Sequence, residues 1–148
     1  MARSIHRWLL TLFIIGVDVQ FFLAGLGVFR TQDHAAHGTV GDSQFASYFD
    51  PHRTLGNVLF GVAVLVFLAA LVARLGRARV LVMLVLPVLV FLQSVFANSG
   101  PSWFRALHVL NAFVIAGIAG TQTGIYWREA RNGAVAPSEP AAGLVSPN

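Results

Sequence analysis

The chain contains no cysteine and no lysine, and only 11% of its 148 residues are charged. The missing cysteine excludes disulfides, thiolate nucleophiles, iron–sulfur ligation and thiolate zinc sites. All ten basic residues are arginine, a usage to which we attach no mechanistic weight. The scarcity of charge excludes an ordinary soluble surface, since soluble chains carry about 25% charged residues. It also excludes disorder for most of the chain, because disorder combines low hydrophobicity with high charge. The net charge of +4 does not indicate nucleic-acid binding. The arginines are scattered between apolar runs rather than gathered on one face.

What is abundant is apolar sequence, 56% of the chain. It falls into four long stretches: Trp8 to Phe29 with Asp18 as its only charge, Thr54 to Ala73, Val80 to Ala97, and Ala106 to Trp127. Crossing the hydrocarbon core takes roughly 20 apolar residues, and only helices or closed barrels satisfy their backbone there. The stretches are too uniformly apolar for alternating barrel strands. The expectation is therefore an all-α, up-down-up-down four-helix transmembrane bundle, with helices at about 7–29, 51–74, 79–98 and 101–128 in a domain over residues 1–131. The first stretch reads as a retained helix rather than a cleaved signal peptide, because it is long and contains Asp18 and Gln20. Residues 132–148, rich in Pro, Ala, Gly and Ser, read as a disordered cytoplasmic tail.

Arginine placement sets the expected orientation. Arg3, Arg7, Arg74, Arg77, Arg79, Arg128 and Arg131 flank the helices on one side. Arg30, Arg53 and Arg105 lie on the other, diluted by Asp33, Asp42 and Asp50. The positive-inside rule then places both termini in the cytoplasm, as expected of a multi-pass protein of a bacterial cell (inner) membrane. The segment Thr31 to Asp50 is expected as an external loop.

Two histidines stand out. Asp50 is a favoured N-cap and Pro51 a favoured first helical residue, so the expectation puts His52 in the first turn of helix two, at the external face. His108 lies inside the fourth apolar run. In an up-down-up-down bundle helices two and four are diagonal partners. Neighbouring helices lie roughly 8–10 Å apart, which makes the diagonal on the order of 11–14 Å. Two imidazoles with a metal ion between them, each bond about 2 Å, fill such a gap. A bis-histidine haem b is therefore the expected cofactor, with His52 and His108 as its iron ligands. Gly56, one turn along from His52, and Ala112 and Ala116, beyond His108, leave room for a flat ring. Arg53 and Arg105 are placed to steady its propionates. Gln20, Gln93 and Asn111 could bond a haem edge or a quinone carbonyl, or simply bond across helices. Histidine near a helix end can also be merely amphipathic, with the adjacent arginine snorkelling.

Pro51-His52-Arg53-Thr54-Leu55-Gly56 and Leu107-His108-Val109-Leu110-Asn111 resemble the histidine helices of one four-helix half of heme A synthase. The pattern is also similar to small four-helix b-type cytochrome subunits. Over about residues 5–130, including Val19 to Phe29 and Phe49 to Arg53, the chain resembles an uncharacterised family of small four-helix bacterial membrane proteins. The synthase resemblance implies His52 and His108 as axial haem ligands. It does not carry over the oxygenation chemistry. Where the synthase has a glutamate one turn before the helix-two histidine, this chain has Phe49. It also has one half where the synthase has two. A haem-binding or electron-transfer role, with a quinol or redox protein as partner, fits the residues better.

The alternative is a haem-free transporter, or an assembly or structural subunit, in which Asp18 carries the function. A carboxylate in mid-membrane is expensive unless protonated or paired, so Asp18 is either a proton relay or a neutral acid bonded to a neighbouring helix. A homo- or hetero-oligomer is compatible with both readings. His34 and His37, in Asp33-His34-Ala35-Ala36-His37, have metal-like spacing but no further ligands. Gly16, Gln20 and Gly27 share a face of helix one suited to close packing, and Pro87 is expected to kink helix three. His6, at the start of helix one, needs no special explanation.

Overall fold

The computed structural model describes residues 1–134, all of whose regular structure is α-helical: α1 (Ala2–Ala35), α2 (Asp42–Val72), α3 (Arg77–Asn98) and α4 (Ser102–Ala134). Each is long and apolar enough to cross a membrane, and no more than 22% of any apolar window is buried inside the bundle. Large apolar side chains such as Leu12, Phe22, Leu65, Phe91 and Phe113 face outward. Lipid, not water, is the solvent that such a surface suits. Trp103 stands exposed near one end, and Trp8 and Trp127 meet edge to face near the other, the placement of interfacial aromatic belts.

The helices form a square. α1 packs on α2, α2 on α3, α3 on α4, and α4 on α1. The diagonal pairs, α1 with α3 and α2 with α4, do not meet at backbone distance among the described residues. Short connections impose this order, because a turn of a few residues returns the chain only to an adjacent position. The core occupies the half of the bundle nearer the described chain ends. It joins Leu10 and Phe13 of α1, Ala63, Val66 and Ala70 of α2, Met83 and Leu86 of α3, and Ala119 of α4, all fully enclosed. Small residues at such positions let helices approach in lipid, where packing rather than water release holds them together. Polar links add to it: Trp127 Nε1 donates to Thr11 Oγ1 at 2.9 Å across α4 and α1, and Arg79 pairs with Glu129 at 2.8 Å across α3 and α4.

The turns have local causes. α2 ends in a Schellman motif. The Arg74 N–H donates to the Leu71 carbonyl at 3.0 Å, the Leu75 N–H donates to the Ala70 carbonyl at 3.2 Å, and Leu75 tucks into the core. Arg74 holds the left-handed position, at φ 50°, where glycine is usual. Between α3 and α4 the turn runs through Gly100 at φ 75°, a conformation that glycine adopts without a Cβ penalty.

The first connection departs from the sequence expectation. Thr31 to Asp50 is not a loop: α1 continues to Ala35 and α2 begins at Asp42. Asp50 and Pro51 are not the start of a helix, and His52 stands well inside α2 rather than in its first turn. A proline inside a helix loses one backbone hydrogen bond. Here the extra turns gain packing against α1. Phe49 lies over Gly27, so closely that a Cβ there would stand 2.7 Å from the ring. α1 likewise extends past the expected 7–29 at both ends and α4, beginning at Ser102, runs beyond the expected 128, while α3 begins two residues earlier than expected and ends at Asn98 as read. Pro87 is buried within α3. Most of the expected tail, 132–148, lies outside the described residues; its first three continue α4.

Candidate functional site

The half of the bundle away from the described chain ends is hollow. A cavity of about 630 Å³ opens among all four helices, within the range of roughly 300–1,000 Å³ usual for small-molecule and cofactor sites. Its walls are mainly apolar, with Phe13, Phe21, Phe45, Phe49 and Ile115 among them. Gln20, His52, Asn57, Gln93 and His108 supply polar groups.

The two histidines face one another across the diagonal. Their ring centroids are 6.0 Å apart, with the ring planes inclined by 58°. Each is held the same way. His52 Nδ1 donates to the backbone carbonyl of Gln20 at 3.2 Å, and His108 Nδ1 donates to that of Gln93 at 3.0 Å. A carbonyl only accepts, and its second lone pair remains available when the first serves the helix. The proton is thereby placed on Nδ1 of both rings, and the Nε2 lone pairs are left free. Among the described residues neither Nε2 has a protein hydrogen-bond partner. Histidine ligands of metals are oriented in this way, with the second ring nitrogen donating to a carbonyl or carboxylate.

The α3–α4 half of this support is reinforced. Asn111 is buried, and its Nδ2 donates to the Leu89 carbonyl at 2.8 Å and to Gln93 Oε1 at 2.7 Å. Asn111 thus positions Gln93 from behind and does not line the cavity. On the other side a Cβ at Gly56 would come within 3.0 Å of Gln20 Nε2, so Gly56 makes room for the Gln20 amide as well as for the cavity. Gln20 Oε1 is buried without a partner, a polar atom left over at the cavity wall. Gly16, Gln20 and Gly27 do form a close-packing face: a Cβ at Gly16 would press on Leu59, as one at Gly27 would on Phe49.

The arginines behave differently from each other. Arg53 lines the cavity and pairs weakly with Asp50 at 3.4 Å. Arg105 is exposed and is not among the cavity-lining residues. Being one turn from His108 along the helix does not bring its side chain to the same opening. Asp18 departs more sharply from the sequence expectation. It is exposed on the outer face of α1, among Ile15, Val19 and Phe22, and bonds to no neighbouring helix among the described residues. His34 accepts from Gln44 at 3.2 Å, and His37 donates to the Asp33 carbonyl at 2.8 Å. No group of three or more metal-ligating His, Cys, Asp or Glu side chains meets anywhere among the described residues.

Phe45 belongs to the cavity, a residue that sequence reasoning missed. Its signal is present all the same: Phe45, Phe49, His52 and Gly56 recur at helical spacing, continuous through Pro51. Ser94 and Asn98, on the last turns of α3, also line the opening.

Neither the curated proteins nor the solved structures contain a match to this chain. A family model described as a family of unknown function does match, over residues 20–100. That segment begins at the residue whose carbonyl holds His52 and includes Gln93, whose carbonyl holds His108. It covers more than half of the sequence, and the chain belongs to this family, DUF6220.

Proposed function

We propose that the chain is a b-type haem protein of a bacterial cell membrane, binding one haem between His52 and His108 and serving in electron transfer or as a redox subunit. The observation that carries this reading is the pair of imidazoles 6.0 Å apart, each with Nδ1 committed to a carbonyl. Two imidazoles joined through one metal ion, with bonds of about 2 Å, stand roughly 6 Å apart centre to centre. The 58° inclination of the rings would not prevent both from holding one haem iron, should haem be bound. A bare ion would find only two protein ligands here, whereas a porphyrin brings four nitrogens of its own. The fit therefore favours haem over a free metal ion.

In this reading the Gln20 and Gln93 carbonyls hold the ligand rings, and Asn111 steadies Gln93. The phenylalanines keep water from the ring faces, and Arg53 is placed to meet a propionate. A bound haem supplies reversible one-electron exchange. Arginine distribution supports both termini in the cytoplasm and the cavity towards the external face. Electrons could not cross the whole membrane from there unaided, so a quinol or a redox protein completes the path. The short motifs around the two histidines, which resemble those of heme A synthase, are in keeping with haem binding. Phe49, apolar and on the cavity wall, supports electron transfer over oxygenation.

The test is a reduced-minus-oxidised visible spectrum of protein purified in mild detergent, with haem counted per chain. A sharp low-spin b-type band near one haem per chain is expected. Colourless protein after expression with ample haem would overturn the reading.

The exposed carboxylate of Asp18 favours one further role, assembly with a second membrane chain. A lipid-facing aspartate in mid-span costs about 2.5–3.5 kcal/mol on insertion scales, and a covering partner would relieve that cost. Asp18→Leu is expected to keep the haem spectrum and to shift assembled species towards single chains in size-exclusion chromatography. Unchanged assembly would rule this role out.

A further inference from the structure

The opposite end of the bundle holds a second pocket, of about 240 Å³. Arg3, Arg7, Arg74 and Arg79 line it, against the single carboxylate of Glu129. Glu129 is engaged by Arg79, so the other three arginines have no carboxylate partner among the described residues. His6 and Tyr126, also in the lining, are 1% and 7% exposed. The Nε2 of His6, the hydroxyl of Tyr126 and the Nε of Arg7 are all buried without a hydrogen-bond partner. Buried polar atoms left unpaired are costly, and here three of them share one pocket.

The backbone adds to the same field. α1 and α3 both begin at this end, with no acidic residue in the first turn and no side-chain cap. Their free N–H groups and positive dipole ends favour an anion and disfavour arginine. Arg3 and Arg79 nevertheless occupy those turns. Arg74 is held at positive φ, where glycine would be less strained.

We infer that this pocket binds a phosphate group, with Arg3, Arg7 and Arg74 supplying charge and His6 and Tyr126 supplying buried donors. The volume is small for a nucleotide and suits one phosphate with its immediate substituent. Two sources share that chemistry: the headgroup of an anionic phospholipid in the adjoining leaflet, and free inorganic phosphate.

The experiment follows the thermal transition of the full chain in an uncharged detergent. One arm adds sodium phosphate against sodium chloride at equal ionic strength. The other adds phosphatidylglycerol or phosphatidylcholine to the micelles. A rise of several degrees with phosphate but not chloride assigns the site to the free anion. A rise with phosphatidylglycerol alone assigns it to the headgroup. In either arm Arg3→Gln combined with Arg74→Gly should weaken the response at least tenfold. The ligand-free transition of the double variant is read alongside; where it matches the parent's, a lost response is not a lost fold. No response in either arm, an equal response to chloride, or an undiminished response in the double variant would overturn the inference.

Discussion

Replacing His52 or His108 with alanine is expected to abolish the low-spin haem spectrum and to reduce haem content at least tenfold below one per chain. Each substitution removes one of only two imidazoles facing the cavity. Changes to groups that merely orient a ligand typically cost 10–100-fold in metal affinity, and loss of the ligand itself should cost no less. The fold should survive. Both rings are half-buried at a cavity wall, outside the packed core, and each makes one hydrogen bond to a carbonyl whose helix is complete without it. Such a bond contributes about 1 kcal/mol net. Haem quantification beside the thermal transition separates the two effects. Full haem retention in both variants would sink the proposal, whatever the spectrum of the parent protein.

The second large effect is expected at Gly27. A Cβ there would meet three atoms of the Phe49 ring at 2.7 to 2.9 Å, and a ring cannot swing aside as a flexible tip does. Gly27→Leu should force α1 and α2 apart at the cavity end. Overpacking of this kind costs about 1–3 kcal/mol in well-packed cores, read as a fall of several degrees in the thermal transition. Phe49 is also a cavity wall, so the haem content should fall with it. Gly25→Ala is the control. A Cβ there meets nothing within 4 Å, and alanine is the better helix former by roughly 0.5–1 kcal/mol, so that variant should be at least as stable as the parent. An unchanged transition in Gly27→Leu would show that the two helices are not held at this close approach.

Several of these features are legible in the amino-acid sequence itself. Four long apolar runs contain almost no charge, and lipid leaves such runs one conformation, so the all-α membrane bundle can be read directly. Short connections then put helices two and four on a diagonal, and with them His52 and His108. The histidine pair is therefore visible in one dimension, and so is the close-packing face of Gly16, Gln20 and Gly27. The ends of the helices are not. Asp50-Pro51 carries a sound local signal for a helix start, and it is overridden because Phe45 and Phe49 extend α2 along α1, where Phe49 gains a contact on Gly27 that no local rule contains.

Facing is the other gap. Hydropathy says that Asp18 lies in a membrane span but not which way it points, and the structure turns it outward. The same blindness applies to Arg105, near His108 in the helix yet away from the cavity, and to His6, which needs no explanation as an isolated residue. His6 acquires one only when Arg3, Arg7, Arg74 and Arg79 converge around it from three separate segments. Composition and the length of apolar runs determined the class of protein, the number of spans and the candidate ligands, because the membrane imposes those through local chemistry. Tertiary structure alone decided the 6.0 Å separation of the imidazoles, the carbonyls that hold them and the arginine-lined pocket, because each depends on groups brought together from helices far apart in the chain.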